Sequence, residues 1–556
     1  MKKIVFLLIF LTLSVYGVMA CEEANYDFTS TILHIPVAVV DSKIYFKVDL
    51  KLNGDSFSLS GATQAQSLVN GCQSTFDSST LVLNVPFISL SGKYYGLSMK
   101  SAANYGFPLK NVTITGLSPS RTITIGKENG RTLRKLTGVN CGPDSAGDTG
   151  NPMINTHGSP ALNNQYKQIG VTMVRTHDFQ GPFDMYEMYH DHTKNPDDVS
   201  SFNFKNTDAQ YKFITDNGHE LYLRIGDSSK NPTPPQPENL DNYVTAMVNV
   251  IRHYKSGKWN GFTSNFRYVE IWNEPDARFW PGYSTDYFIQ FYVKAAKAIK
   301  TAFPDLKVGG SGFTSAGSFT DDGKKFTEQF VSAAVSGNAP LDFISWHAYT
   351  NVPDQYTASA NYYRALLDKY GFAQSESHVT EWNTEIGTDS AENTELRFNA
   401  KGAAINTANW IALQQTDVSI STFYRGNDSS MDLSQFYGLF KADGTYKKVA
   451  LAFSLWSNMV NFNKVLSVTG GDAGFRVLAG KSTDGKIALL IANMTSAATA
   501  YALSFDGTSG LSASNYSVTI EEVSDASGSV QARTGNPGFI SLGGYAVELV
   551  TITPLK

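Results

Sequence analysis

Two glutamates close strand-like segments and are candidates for acid–base and nucleophilic chemistry. Glu274 closes the run Tyr268–Pro275, and Glu381 lies in the run Ser377–Asn383. Each run consists of β-branched or aromatic residues followed by polar ones, which is typical of a strand that gives way to a loop. Two carboxyl groups that face one cleft are the minimum needed to break a glycosidic bond.

That chemistry requires one carboxyl group that keeps its proton and one that is ionised. Glu274, which is followed by Pro275 and lies close to Trp272, is predicted to be the proton donor. Glu381 is then predicted to be the nucleophile that forms a covalent glycosyl-enzyme. Glu270 precedes Glu274 by an even number of residues, so both would share a strand face. We interpret Glu270 as a structural ion-pair partner.

Polar and aromatic side chains at other strand ends are predicted to complete the site. Arg175 is expected to keep Glu381 ionised, and Asn273 is placed to donate to a sugar 2-hydroxyl. The remaining predicted substrate-binding residues are His177, His347, Tyr349, Trp382 and Tyr424. A structural role is the alternative for the two histidines. Packing in the barrel is the alternative for Trp346, Trp382 and Tyr424, although at least one of these rings is expected to bind sugar.

No metal or cofactor is predicted. The segment His190-Asp191-His192 lacks the ligand spacing of a zinc site. Two carboxyl groups and a water molecule are sufficient for glycoside hydrolysis.

The elements that would position these residues alternate between strand and helix from about residue 131 to 462. Eight apolar runs are predicted strands: Leu136–Asn140, Val171–His177, Glu220–Ile225, Phe266–Trp272, Lys307–Gly310, Asp342–Tyr349, His378–Glu381 and Val418–Tyr424. Helical periodicity is found in Asp286–Thr301, Lys324–Val335, Ala358–Lys369 and Glu395–Leu413. This α/β pattern predicts a (β/α)₈ TIM barrel, with the polar strand ends at its active face. An open doubly wound sheet is the alternative, but no glycine-rich phosphate loop follows an early strand.

Strand-rich segments flank the predicted barrel. Residues 22–126 and 463–556 are predicted to form N- and C-terminal β-sandwich modules. Leu33-His34-Ile35-Pro36 recurs as Leu83-Asn84-Val85-Pro86, which suggests a duplicated hairpin. A structural role for the first module is favoured over sugar binding.

The motifs around both glutamates resemble known enzymes. Glu270–Pro275 is similar to the acid/base motif of the large barrel clan of retaining glycosidases. Asp342–Tyr349 and Val379–Asn383 resemble glycoside hydrolase family 39, which includes β-xylosidases and α-L-iduronidases. The resemblance covers the barrel and weakly the C-terminal module. It implies that Glu274 is the acid/base and Glu381 the nucleophile, with net retention of configuration.

Two segments depart from the β-xylosidase pattern. The third strand ends in Leu223–Asp227, where a glutamate-containing apolar run is expected, and Phe179–His192 also differs. These departures bear on the identity of the substrate sugar more than on the type of reaction. A β-xylosidase-like retaining hydrolase acting on oligo- or polysaccharides is therefore predicted. A non-catalytic carbohydrate-binding protein and a transglycosylase are the alternatives.

The N-terminus and overall charge indicate an exported protein without a nucleic-acid partner. Lys2-Lys3, an apolar segment from Ile4 to Val18 and Ala20 predict a signal peptide over residues 1–20, and hence secretion. A membrane-anchoring helix and a lipid anchor at Cys21 are less favoured alternatives, and no other run is long and apolar enough to span a bilayer. The net charge of −5 gives no basic surface for nucleic acid.

The three cysteines and four N-x-S/T sequences leave open questions. An odd number of cysteines leaves one unpaired within the chain, and Cys72 and Cys141 are a possible pair. The sequences beginning at Asn111, Asn427, Asn493 and Asn515 are glycosylation acceptors if the source is eukaryotic.

Overall fold

The computed structural model describes most of the chain. The described residues are 24–40, 44–64, 74–90, 93–102, 106–143, 162–177, 182–227, 237–277, 284–428, 437–441, 443–507 and 516–555. They form two compact units, one with the residues up to Arg131 and from Lys464 onward, the other spanning Thr132–Asn463. The predicted signal peptide, Cys21 and Cys72 lie outside the described residues. Within the described ranges, no helix is long and apolar enough to cross a bilayer.

The first unit begins with a nine-stranded sheet. Its strands are β1 (Ala24–Asp27), β2 (Ile32–Val40), β3 (Ile44–Asn53), β4 (Ser56–Gln64), β5 (Ser74–Asp77), β6 (Val82–Leu90), β7 (Lys93–Lys100), β8 (Phe107–Pro108) and β9 (Val112–Leu117). The order is β8-β4-β3-β2-β1-β6-β7-β9, and β5 pairs with β2 and β6. Strand β10 (Arg121–Thr132) follows.

The repeated sequence in this sheet corresponds to a repeated structure. The hairpins β2–β3 and β6–β7 each have a register shift at the equivalent place, between Ile35 and Ala38 and between Val85 and Ile88. Strand β1 pairs with β2 and with β6, whereas β5 pairs with β6 and with β2. The first strand of each repeat therefore pairs with both hairpins.

The second unit is a closed barrel of eight parallel strands. They are β11 (Gly138–Asn140), β12 (Met173–Arg175), β13 (Glu220–Ile225), β14 (Tyr268–Ile271), β15 (Lys307–Phe313), β16 (Phe343–Tyr349), β17 (Glu376–Asn383) and β18 (Val418–Phe423). Strand β18 pairs with β11, Thr422 lying opposite Gly138, which closes the cylinder. Each strand overlaps one of the eight predicted runs, and the predicted (β/α)₈ barrel is confirmed.

Helices connect the barrel strands. Their bounds are α1 (Asn163–Ile169), α2 (Met185–Met188), α3 (Lys205–Asp216), α4 (Leu240–Ser256), α5 (Thr285–Ala302), α6 (Ala316–Phe319), α7 (Asp321–Ser336), α8 (Pro353–Lys369), α9 (Ser390–Arg397), α10 (Ala400–Gln414) and α11 (Lys448–Met459). Helix α5 begins after Ser284, whose hydroxyl accepts from the Tyr287 N–H at 3.2 Å. The predicted helix Glu395–Leu413 is interrupted, because Asn399 is extended (ψ 171°).

The barrel interior has an apolar layer below a polar one. Met173, Tyr222, Tyr268 and Phe343 are buried together. Alternate residues of a strand share a face, so the inward positions two residues further along belong to the next layer. There β12, β14 and β16 carry the buried polar residues Arg175, Glu270 and Ser345.

Eight C-terminal strands and β10 form a second nine-stranded sheet. The C-terminal strands are β19 (Lys464–Thr469), β20 (Phe475–Lys481), β21 (Ile487–Asn493), β22 (Thr499–Phe505), β23 (Tyr516–Val523), β24 (Gln531–Thr534), β25 (Ile540–Leu542) and β26 (Val547–Pro554). The order is β24-β23-β26-β21-β20-β19-β10-β22-β25, around one apolar core. The predicted boundaries of the two β-rich modules stay predictions. Strand β10 begins within the predicted N-terminal module, before residue 126, and pairs with β22 of this C-terminal sheet.

Of the three N-x-S/T asparagines that lie in the described ranges, two are buried. Asn427 is 3% exposed and its Oδ1 accepts from the Tyr166 hydroxyl at 2.8 Å. Asn493 is 2% exposed and its amide donates to the carbonyls of Ala497 and Gly543. Neither side chain is accessible to a glycosyltransferase in the folded chain. The considered Cys72–Cys141 disulfide stays a prediction because Cys72 lies outside the described residues.

Candidate active site

Glu381 lies at the end of β17 inside the barrel, where three side chains hold its carboxylate. Its Oε1 accepts from Arg175 Nη1 at 2.9 Å and lies 3.0 Å from His177 Nε2, while its Oε2 accepts from the Tyr349 hydroxyl at 2.6 Å. The side chain is only 6% exposed. Because both oxygens are fixed from separate strands, the carboxylate has one well-defined position.

The surroundings of Glu381 favour its ionised form. Burial opposes ionisation, but His347, His177 and Arg175 together outweigh it and hold the pKa of Glu381 well below its ordinary value. Burial is also the main reason that the pKa of His177 is lowered. A neutral His177 must carry its ring proton on Nε2 to donate to the carboxylate, which can only accept.

Glu274 lies on the turn that follows β14. Its backbone is left-handed (φ 47°), and its N–H donates to the Gly312 carbonyl at 3.0 Å. The carboxyl Oε1 lies 2.8 Å from His347 Nδ1, and the side chain is 26% exposed. Glu274 is therefore more open to solvent than Glu381, as suits a group that exchanges protons.

His347 connects the two carboxyl groups. Its Nδ1 is 2.8 Å from Glu274 Oε1 and 3.7 Å from Glu381 Oε2. Burial lowers the pKa of His347, but the charges of Glu381 and Glu274 raise it, and the net shift is upward. One oxygen of each glutamate and one His347 nitrogen all lie within 4.8 Å of one another. This spacing also suits metal ligands, but at 2.8 Å from Oε1 the Nδ1 atom is a hydrogen-bond partner of Glu274.

Arg175 organises the polar layer beneath these groups. Its Nε donates to Glu270 Oε2 at 2.6 Å, and its Nη2 donates to Asn273 Oδ1 at 2.8 Å. Glu270 also accepts from the Thr380 hydroxyl at 2.8 Å. Glu270 is thus an ion-pair partner, and Asn273 turns its carbonyl oxygen toward the guanidinium. The N–H groups of the Asn273 amide then point away from Arg175.

The predicted aromatic residues divide between the site and the barrel wall. Tyr349 contacts Glu381, and the Tyr424 ring lies 6.2 Å from the Tyr349 ring and 6.4 Å from the His177 ring. Both tyrosines therefore belong to the site.

Trp382 does not line the site, and that prediction is wrong. Its fully buried ring packs against Phe423 at 5.1 Å and Trp456 at 5.7 Å. Since Glu381 faces the barrel interior, the next residue must face outward. The same alternation buries Trp346, beside His347, against Tyr363.

Several residues of the site were missed by the sequence analysis. Asn140 Oδ1 accepts from Arg175 Nη1 at 2.9 Å, and its own amide donates to the Thr380 carbonyl at 2.8 Å. Its position at the end of β11 was the signal that could have identified it. Gly312 could not have been found, because its role depends on how close its backbone lies to His347.

The end of β13, which departs from the β-xylosidase pattern, carries a separate buried ionic cluster. Arg224 forms an ion pair with Asp184. Asp227 accepts from the Tyr243 hydroxyl at 2.9 Å and from the Tyr186 N–H at 2.7 Å. Burial and the charge of Asp184 raise the pKa of Asp227 to about 7.

Comparison with known proteins relates part of this chain to a glycosidase family. Residues 157–382 match the family described as glycosyl hydrolases family 39. A β-xylosidase from Geobacillus stearothermophilus is 27% identical over 175 residues, which is 28% of this chain and 32% of that protein. The matched segment therefore spans about a third of the length of that relative.

Solved structures share the fold. A glucosidase from Croceicoccus marinus has a TM-score of 0.63 at 24% identity, covering 78% of this chain and 99% of that one. A monomeric β-xylosidase from Caulobacter crescentus CB15 has a TM-score of 0.58 at 15% identity, covering 79% and 100%. The sequence match and the carboxyl pair at the strand ends both lie in the barrel, so this is the part of the chain that resembles glycoside hydrolase family 39.

Proposed function

We propose that this protein is a retaining glycoside hydrolase that acts through a covalent glycosyl-enzyme. The observation that carries the proposal is the approach of Glu274 and Glu381, whose nearest oxygens and the His347 nitrogen lie within 4.8 Å of one another. Retaining enzymes place their carboxyl groups about 5–5.5 Å apart, and inverting enzymes place them about 6.5–9.5 Å apart to admit a water. The short separation favours retention.

In the first step Glu381 attacks the anomeric carbon while Glu274 protonates the departing oxygen. The C–O bond to the leaving group breaks, and a glycosyl ester to Glu381 forms. Arg175, His177 and Tyr349 hold the attacking carboxylate in place. As Glu274 gives up its proton it becomes a carboxylate, which the Nδ1–H of His347 stabilises.

In the second step Glu274 takes a proton from water, and the resulting hydroxide equivalent displaces Glu381 from the sugar. Both carboxyl groups then return to their starting protonation states. The amide N–H of Asn273 would donate to the sugar 2-hydroxyl, since its carbonyl oxygen faces Arg175.

The proposed substrate is a β-xyloside within an oligo- or polysaccharide. Support comes from the motifs of the barrel and from the β-xylosidase named above. Secretion is proposed from the N-terminal segment Lys2–Ala20 alone.

The test is hydrolysis of a panel of aryl glycosides, led by the β-xyloside, by the wild type and by Glu381→Ala. We expect the variant to lose about 10⁴-fold or more in kcat, because it lacks the nucleophile. Proton NMR of the first-formed sugar should show the substrate's anomeric configuration. An inactive wild type would favour the carbohydrate-binding alternative. A dominant transfer product with excess acceptor sugar would indicate a transglycosylase.

A further inference from the structure

We propose that Asp276 is a positioning residue that fixes the turn carrying Glu274 and so holds the Glu274 carboxyl opposite His347. The inference rests on the proposed function, since it assigns Glu274 the role of proton donor. Asp276 follows Glu274 by two residues. Its carboxylate has a set of contacts that the catalytic steps described above do not use.

The first part of the argument is the attachment of the turn to the neighbouring strand. Asp276 Oδ1 accepts from the Thr314 N–H at 3.0 Å, and Oδ2 accepts from the Thr314 hydroxyl at 2.7 Å. Two residues earlier, the Glu274 N–H donates to the Gly312 carbonyl at 3.0 Å. The turn is therefore tied to the end of β15 on both sides of Pro275.

This attachment matters because the turn is conformationally costly. Trp272 (φ 77°) and Glu274 (φ 47°) both have left-handed backbones, which are unfavourable for residues with side chains. Such conformations persist only where the surroundings enforce them. Asp276 supplies two of the hydrogen bonds that do so, and these bonds place the Glu274 carboxyl opposite His347.

The second part of the argument is the set of groups around Asp276. Within the described ranges, the hydrogen bonds that its side chain accepts come from Thr314. The groups that face it are Glu274 on its own turn, Thr314 at the end of β15 and Tyr363 from α8. Burial raises the pKa of Asp276, and the charge of Glu274 raises it further.

The hydrogen bonds from Thr314 are therefore the contacts through which Asp276 acts on the turn. A general acid must lie within reach of the leaving-group oxygen, so a shift of this turn would weaken acid assistance by Glu274.

The test compares Asp276→Asn, which replaces one of the two oxygens that accept from Thr314, with Thr314→Val, which removes the Thr314 hydroxyl. That hydroxyl donates to Asp276 at 2.7 Å and also accepts from the Ala316 N–H at 3.2 Å. Both variants are assayed with aryl glycosides whose leaving groups range from phenol to 2,4-dinitrophenol. We expect Asp276→Asn to lower kcat/KM about 10- to 100-fold for the phenyl glycoside and less than about 3-fold for the dinitrophenyl glycoside, which needs little acid assistance.

Thr314→Val should show the same dependence on the leaving group, but a smaller loss, because the Thr314 N–H can still donate to Asp276. An Asp276 that only stabilised the fold would reduce activity equally for all leaving groups, and this result would overturn the inference. If Asp276→Asn does not fold, as judged by circular dichroism, Asp276→Ser replaces it, since the hydroxyl can still accept from Thr314. A wild type with no activity would instead refute the proposed function. Normal leaving-group behaviour in Asp276→Asn, with the expected loss in Glu274→Gln, would refute only the role of Asp276.

Discussion

At the scale of single residues, the geometry of the site depends on a position that has no side chain. Gly312 lies against His347, the histidine that connects Glu274 and Glu381. A Cβ at Gly312 would lie 2.8 Å from His347 Nε2 and 3.4 Å from Arg175 Nη2, and the backbone φ is +63°. Both the approach and the conformation therefore require glycine.

We expect Gly312→Ala to lower kcat at least about 10-fold and to cost about 1–3 kcal/mol of unfolding free energy. The added methyl group would displace His347 from its position opposite Glu274. Gly218→Ala is the matched control, because Gly218 has a similar φ of +80° but nothing within 4 Å of its Cβ position. This control should lose stability and keep its kcat. An unchanged kcat in Gly312→Ala would contradict the assigned role of His347.

Sequence reasoning was effective for residues whose role follows from strand position. Glu274, Glu381, Arg175, His177, His347 and Tyr349 all lie in one cluster, and their catalytic and binding roles stay predictions. Trp382 was misplaced, although the two-residue period of a strand was sufficient to exclude it once Glu381 was assigned inward. Asp276 and Thr314 were not predicted together, because their contact joins segments 38 residues apart.

At the scale of elements, β12, β14 and β17 place a layer of charge inside the barrel. The Arg175–Glu270 pair has both side chains fully buried. Its charges are satisfied by Glu381, Asn273 and Thr380 as well as by each other. A buried charge that loses its partner is costly, whereas an exposed pair contributes little.

We therefore expect Glu270→Gln to lower the unfolding free energy by about 3–5 kcal/mol, because Arg175 would keep its charge without its closest counterion. Urea denaturation measures this change. Asp216→Asn on α3 is the control, since the Lys212–Asp216 pair has side chains 56% and 64% exposed. Its cost should stay below about 0.5 kcal/mol. Similar costs for both variants would show that Glu270 is not a structural partner.

The elements themselves were predicted well where periodicity is strong. All eight barrel strands were identified, because parallel strands buried on both faces read as apolar runs. The break between α9 and α10 was missed, because Phe398 and Asn399 fit a continuous helical pattern. The extended backbone at Asn399 depends on tertiary structure, which the local pattern does not contain. The pairing of β10 with β22 could not be predicted from the local sequence pattern either, because the two strands are far apart in sequence.

At the scale of the whole molecule, the two compact units can be observed separately. All seven tryptophans lie between residues 259 and 456, within the unit that contains the barrel. Tryptophan fluorescence therefore reports on the barrel alone. Hydrogen exchange measured by mass spectrometry can follow the other unit, for example on β21 and β26.

Glu548 makes the stability of that other unit dependent on pH. Its carboxyl is fully buried, accepts from the Tyr501 hydroxyl at 2.6 Å and pairs with Arg533, which is also 3.6 Å from Glu522. Burial raises the pKa of Glu548 to about 7. The charge of Arg533 opposes this shift, and the charge of Glu522 adds to it. A pKa raised by folding means that stability is greatest below the ordinary pKa and declines as the pH rises through 7.

The quantity to compare is the unfolding free energy of the wild type minus that of Glu548→Gln. This difference should be larger at pH 5 than at pH 8 by about 1–3 kcal/mol. Protection of β21 and β26 against exchange provides the measurement. Glu128→Gln is the control, since Glu128 is 46% exposed and 3.8 Å from Lys464. It should follow the wild type at both pH values. A difference between wild type and Glu548→Gln that does not vary with pH would contradict the prediction.

The pairing of β10 with β22 has a consequence for biosynthesis. Arg121 lies opposite Tyr501, so the ribosome must make 380 further residues, including the entire barrel, before β10 meets this neighbour. At about 5–20 residues per second, the nascent strand waits for roughly 20–80 s. Its charged residues Lys127, Glu128 and Arg131 are of the kind that discourage unwanted pairing of an open strand edge. Synthesis therefore favours a barrel that folds first, followed by late assembly of the sheet from the two ends of the polypeptide.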